Sequence, residues 1–282
     1  MELRPKHHAL LFSCIAKAAI DRLGERGKEA VVRGVVAYGE QRGRRMARRA
    51  EADGVKIDAK AYLLYGEWYD KYKESDFSCT AYQPEVKMGC TVCPWCDAWE
   101  AADMMEYGAL YCSVVDAALA RGFGLELELI SAKSLGGKEC RFRFPGQAID
   151  GAALAELKEQ AAMLGLKAKM GWEYHDGHLY ASLRQALVDS CGEAGLQAAE
   201  AGLEDFGRMC GDKAADLVAA TAEQDLEALP PSEGLKSHIN KAVYQAPRYF
   251  GALFTCSFAP HLPGIFATLY CPYVLSSRSE AA

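Results

Sequence analysis

Between Leu11 and Ala47 the apolar positions recur at helical spacing, first in a segment that ends near Gly24 and then in a longer one through Val31, Val32, Val35 and Tyr38, which predicts two successive helices. The same pattern returns downstream. Residues 179–215 align with 11–47 without a gap at a shift of 168, and Gly24, Gly27, Gly34, Gly39 and Gly43 meet Gly192, Gly195, Gly202, Gly207 and Gly211. Glycine is a poor helix former that persists inside helices for a backbone or packing reason. The matched glycines therefore predict an internal, partial duplication, with Gly34, Gly39 and Gly43 letting another backbone approach the second helix.

The middle of the chain changes period. From Trp99 to Arg121 the pattern is helical, with Tyr111, Val115, Ala118 and Leu119 on one stripe and Gly122 as the expected C-cap. Then Leu125, Leu127 and Leu129 alternate with Glu126 and Glu128, and beyond a Gly136-Gly137 turn Cys140, Phe142 and Phe144 alternate with Arg141 and Arg143. This predicts a hairpin with leucine facing cysteine and phenylalanine on one side and glutamate facing arginine on the other. An alanine-rich helical stretch follows over 146–169, and a second helix pair starts near His178. After Pro230-Pro231, the stretch from Tyr249 to Ser277 carries no Asp, Glu, Lys or Arg, but Pro260, Pro263 and Pro272 break it. Short buried strands suit it better than a membrane span. Its Cys271-Pro272 echoes Cys93-Pro94. The expected fold is α+β, with helices packed on an antiparallel sheet.

Composition narrows the function. The 282 residues are 50% hydrophobic and 25% charged, and 32 basic side chains against 38 acidic ones leave a net charge of -6, so no basic field draws nucleic acid or anionic lipid. The basic run Arg42, Arg44, Arg45, Arg48 and Arg49 reads as a solvated helix face. Lys17 interrupts the apolar N-terminal stretch and no small-residue cleavage site follows, which predicts a cytoplasmic protein without a secretory signal. Eleven cysteines, an odd number, fit reduced thiols rather than a disulfide framework.

The chemistry is concentrated in those thiols. Cys90, Cys93 and Cys96 form a C-x2-C-x2-C run that supplies either three ligands for zinc or an iron-sulfur cluster, or separate core and reactive thiols. Asp97 and Glu100 have the spacing of a capping box, which places Cys96 and Cys93 near a helix N-terminus where a thiol pKa falls; alternatively, Cys93-Pro94 is only a rigid lead-in to that helix. Cys112 and Asp116, four apart on the expected helix, share a face, with Asp116 either a surface acid or a general base in a pocket. Cys140 lies on the apolar face of the hairpin. The six histidines are scattered, and no dinucleotide loop, P-loop or G-x-S-x-G elbow is present.

The motifs YGEQRG at 38–43, CPWCDAW at 93–99, YCSVVDAALARGF at 111–123 and GGKECRF at 136–142 resemble the L-2-amino-thiazoline-4-carboxylic acid hydrolase family over about residues 7–145. The G-x-x-C-x-F hairpin end is also similar to ligand-binding domains of the 4-vinyl reductase type. The resemblance implies a hydrolase-like α+β domain over 1–145, a helical connector over 146–172, and a partial second copy with a helix pair and short strands over 173–282. It implies hydrolytic opening of a C–N bond in a small cyclic amidine, a thiazoline carboxylate. Cys93, Cys112, Asp116 and Cys140 fall on the family motifs as catalytic candidates, with Tyr111, Trp95 and Phe142 against the substrate and Gly137 nearby. Either a Cys93 thiolate attacks C2 while Asp116 shuttles protons, or a metal held by Cys90, Cys93 and Cys96 activates water. The second reading is a binding or sensor module that holds a metal, a cluster or a small ligand without turnover. The expected partner is a small-molecule substrate, in a monomer or a homo-oligomer, with no nucleic acid or membrane.

Overall fold

The structure is a computed structural model that describes residues 2–226. The readings for Pro230-Pro231, for the uncharged stretch 249–277 and for Cys271-Pro272 lie outside the described residues. Two helix pairs are joined alike: α1 (Pro5–Leu23) meets α2 (Glu25–Ala52) at Gly24, with φ 61°, and α8 (Trp172–Cys191) meets α9 (Glu193–Cys210) at Gly192, with φ 59°. The pairs cross, α1 lying along α9 and α2 along α8. A Cβ on Gly34 would stand 2.9 Å from the Cα of Leu183, and one on Gly202 would stand 2.4 Å from the Cα of Ile15. Both contacts are the same contact under the 168-residue shift, as Ile15 maps on Leu183 and Gly34 on Gly202. This equivalence supports the duplication as a proposal about origin.

The tighter crossing has a measurable consequence. Gly202→Ala puts a methyl group against backbone that cannot rotate away, so the helices must separate, and overpacking of this kind costs about 1–3 kcal/mol. Chemical denaturation should show a lower midpoint with an unchanged slope; an undisturbed midpoint would mean that the α1–α9 contact is loose.

The sheet is antiparallel throughout, in the order β1 (Ser78–Ala81), β2 (Val86–Cys90), β4 (Cys140–Phe144), β3 (Glu128–Ser131). The β3–β4 hairpin follows the alternation, with Leu129 opposite Phe142 and Glu128 opposite Arg143, whose Nε donates to the Glu128 carboxylate at 2.7 Å. It is shorter than its pattern, since Leu125 and Leu127 precede the strand and a bulge follows Leu129. Strands β1 and β2 are only four and five residues long, too short for a clear period, and β2 places Cys90 directly opposite Cys140.

Four expectations are corrected. The helical stretch after Cys93 is three helices, α4 (Pro94–Ala101), α5 (Met105–Cys112) and α6 (Val115–Phe123), with Asp103 at φ 55° in the first break. Cys112 and Asp116 therefore sit on different helices. The C-cap is the left-handed Gly124, while Gly122 lies inside α6 against the Glu40 backbone. At the other end, Cys93 itself is the N-cap of α4 and Asp97 falls within the helix, so Asp97 and Glu100 form no capping box.

The basic run is the fourth correction. Arg44 and Arg48 are exposed, but Arg42 and Arg45 are each 1% exposed and Arg49 is buried, because α2 is covered by α6 on one side and α8 on the other. Arg45 donates from Nε and Nη2 to the two carboxylate oxygens of Glu67, both at 2.7 Å, and Arg42 Nε reaches Glu67 Oε2 at 3.3 Å. A buried guanidinium is tolerable only with such forked pairing. Three further helices complete the described chain: α3 (Ala59–Tyr65), α7 (Gly151–Leu164) within the proposed connector, and α10 (Asp212–Ala222). No helix among the described residues is long and apolar enough to cross a membrane.

Candidate active site

A cavity of about 100 Å³ opens between the end of the sheet and helices α4, α5, α6 and α8. One water needs only about 10–15 Å³ by this measure, so the space takes a small organic molecule. Cys90, Cys93, Cys112, Asp116 and Cys140 line it, with Trp95, Tyr111 and Phe142 in the walls. The structure thus brings together every site residue expected from the sequence except Cys96.

Local structure explains the convergence. The antiparallel register sets Cys90, the last residue of β2, beside Cys140, the first of β4. The chain then turns through Thr91 and Val92, whose backbone N–H groups donate to Asp76 Oδ1 at 2.8 Å each, and this anchored turn delivers Cys93 to the start of α4. Cys93 lies within hydrogen-bonding contact of Cys140, Cys90 and Cys96. Cys96, 2% exposed, points into the core behind it and is not in the cavity wall. The thiol that completes the cluster is Cys140, contributed by a strand 44 residues beyond Cys96 in the sequence.

This arrangement does not fit the expected metal set. Among the described residues no group of three or more His, Cys, Asp or Glu side chains is disposed to hold a metal ion. Zinc or an iron-sulfur cluster on the C-x2-C-x2-C run is therefore not supported by the geometry, and no step below is routed through one.

The cluster polarises its members instead. Hydrogen bonds from Cys140 first, then Cys90 and Cys96, hold the Cys93 thiol far below its ordinary range against the opposing effect of burial, with a smaller contribution from the Cys96 backbone amide. The neighbours keep their protons. Cys90 is raised by its contacts with Cys140 and Cys93 and by burial. For Cys140 the Cys90 contact favours the anion, but the Cys93 contact and burial outweigh it and push it up to about 11. Burial above all keeps Cys112 well above the ordinary thiol range, which makes it a neutral wall residue. Asp116 is pushed up to about 7 by burial, with Arg42 opposing and the Cys93 anion reinforcing the rise. The surroundings thus favour the anion at Cys93 and the protonated acid at Asp116.

The wall residues that escaped the sequence reading include Trp68 and Trp172. With Trp95 they form an aromatic side to the cavity, the ring centres lying 4.9 Å apart for Trp68–Trp95, 5.5 Å for Trp95–Trp172 and 6.0 Å for Trp68–Trp172. Lone tryptophans in a sequence carry no sign of such a cluster.

The family model described as L-2-amino-thiazoline-4-carboxylic acid hydrolase matches residues 4–144. That span holds the whole thiol cluster and Asp116 and ends with β4 at Phe144, so Trp172 lies beyond it. No curated protein and no solved structure matches the chain.

Proposed function

The chain belongs to the L-2-amino-thiazoline-4-carboxylic acid hydrolase family, and from that premise we propose that it opens the ring of a small thiazoline or related cyclic amidine carboxylate by thiolate catalysis. The observation that carries the reading is the placement, in one small cavity, of Cys93, contacted by three other thiols that favour its anion, and of Asp116, whose carboxyl is pushed up to about 7. The Cys93 sulfur adds to the amidine carbon C2, the electrons of the C=N bond move to nitrogen, and Asp116 gives that nitrogen its proton. Asp116, reprotonated from solvent, gives the nitrogen a second proton, and the tetrahedral adduct collapses by breaking the ring C–N bond so that the nitrogen leaves as a free amine. Water then adds to C2, its protons passing to the Asp116 carboxylate and to solvent, the Cys93–C2 bond breaks to restore the thiolate, and the product keeps its sulfur bonded to a carbamoyl carbon. A ring sulfur would leave as thiolate unaided, whereas a ring nitrogen needs an acid. Asp116 is that acid, and its presence favours C–N over C–S scission.

Tyr111, Trp95 and Phe142 fit as substrate-contacting walls, and Cys90 and Cys140 as donors that keep Cys93 ionised. The test is to incubate the purified protein with L-2-amino-thiazoline-4-carboxylate and titrate product for free amine and free thiol. Amine without new thiol supports the reading, and thiol without amine moves the scission to C–S. Protection of Cys93 from iodoacetamide by this compound, with no product formed, would replace the hydrolase by a ligand-binding module.

A further inference from the structure

The second half of the chain reaches the cavity through one face of α8. Trp172 stands in the cavity wall, and Asp176, one turn further along the same face, is fully buried with Oδ1 2.7 Å from His8 Nδ1. The other nitrogen of that ring, His8 Nε2, lies 2.9 Å from the hydroxyl of Tyr111, which lines the cavity. His8 is 0% exposed and enclosed by the rings of Tyr38, Tyr111, Trp172 and Trp95 at 5.6, 5.7, 5.8 and 6.3 Å. Each of its nitrogens therefore has one partner. The 168-residue shift carries His8 onto Asp176, so this contact sits where the two helix pairs meet; extending the repeat three residues towards the N-terminus would have singled both out.

We propose that Asp176 and His8 are positioning residues that aim the Tyr111 hydroxyl into the cavity as the hydrogen-bond donor to the substrate's carboxylate, so that a segment outside the family match completes the site. The ligand part of this inference rests on the hydrolase reading; the relay does not. Burial pushes the His8 imidazole down to about 3, with Arg42 adding to the effect, and burial, with Glu173 adding to it, raises the Asp176 carboxyl well above its ordinary value. In the proposed arrangement the Asp176 acid proton donates to Nδ1 at 2.7 Å, and the one ring proton is on Nε2, donating to the Tyr111 oxygen at 2.9 Å. Among the described residues His8 is the sole hydrogen-bond partner of the Tyr111 hydroxyl. Its own proton is left for an acceptor in the cavity. Burial raises Tyr111 well above its ordinary value, so it donates a hydrogen bond without giving up the proton. Asp70, Ser75 and Asp116 share the wall, but among the described residues no lysine, arginine or histidine lines the cavity, so a substrate carboxylate there takes its hydrogen bond from a neutral donor such as the Tyr111 hydroxyl.

The experiment measures protection of Cys93 from iodoacetamide by two compounds, L-2-amino-thiazoline-4-carboxylate and 2-amino-thiazoline, which lacks the carboxylate. Tyr111→Phe and Asp176→Leu should each weaken protection by the carboxylate compound about 10-fold or more, the size of a lost hydrogen bond to a charge, and leave protection by the other compound unchanged. Asp176→Asn, which can still donate to Nδ1, should restore the wild-type value. Equal weakening for both compounds, or none in Tyr111→Phe, overturns the assignment. Nitrogen-15 spectra of His8 decide the relay separately: the wild type should carry its proton on Nε2, and a proton on Nδ1 overturns the donor direction. A wild-type protein protected by neither compound overturns the hydrolase reading and with it the carboxylate assignment, while the His8 tautomer still decides whether Tyr111 is aimed inward.

Discussion

Cys93→Ala should lower kcat/KM on L-2-amino-thiazoline-4-carboxylate by about 10³-fold or more, the scale on which enzymes lose a nucleophile, while the thermal midpoint and circular dichroism stay near the wild type. The expectation follows from position rather than from cysteine content. Of the nine cysteines among the described residues, Cys93 is the one at which three other thiols converge as donors, and it lies at the start of a helix and in the wall of a cavity. Its neighbours make a graded test. Removing Cys140, the strongest of those donors, should move the acid limb of iodoacetamide alkylation at Cys93 to higher pH in Cys140→Ala. Cys96→Ala should act more weakly, because that thiol ranks below Cys140 and Cys90 among the donors. If alkylation of Cys93 has the same pH dependence with and without Cys140, the shared proton network is wrong, and Cys93 is an ordinary buried thiol.

How much of this was legible in the chain depends on the distance over which each contact is encoded. The β3–β4 hairpin was legible because alternation over Cys140–Phe144 is a local signal, and the helix joints at Gly24 and Gly192 because a glycine between two apolar periods marks a break. Cys93, Cys112, Asp116 and Cys140 were legible only through motif resemblance, since spacing alone favoured Cys96 as the third thiol. The register of β2 on β4 made that choice differently, and a strand of five residues gives the sequence too little period to announce its register. The arginines failed for a related reason. Arg42 and Arg45 look like a solvated face until Glu67, 25 and 22 residues away, supplies a buried partner that charge counting cannot place. Trp68, in the loop after α3, Trp172 and the Asp176–His8 contact depend on segments far apart in the chain packing together, which is tertiary information throughout.

Asp116→Asn should cost about 10²–10⁴ in kcat, the usual contribution of a positioned general acid, and should flatten the pH dependence of both turnover and stability. The proposed role needs the protonated acid, so wild-type turnover should fall as pH rises through about 7, where Asp116 ionises. Asn cannot ionise. The variant's residual rate should lack that limb. Stability falls with rising pH as well, over a lower window: the folded pKa lies above the ordinary 3.8, so between pH 4 and 7 the folded state keeps a proton that the unfolded chain has released, and stability drains away as pH rises through that window. Asparagine removes this linkage, so the thermal midpoint of the variant relative to wild type should climb from about pH 4 to pH 7 and level off above it. A carboxylate placed only to support the fold would be expected to do the reverse, since structural acids are stabilised as anions by partners and their removal hurts most at high pH. A variant less stable than wild type at pH 8, or one whose rate still falls through pH 7, would take Asp116 out of the proton-transfer role and leave Cys93 without its acid.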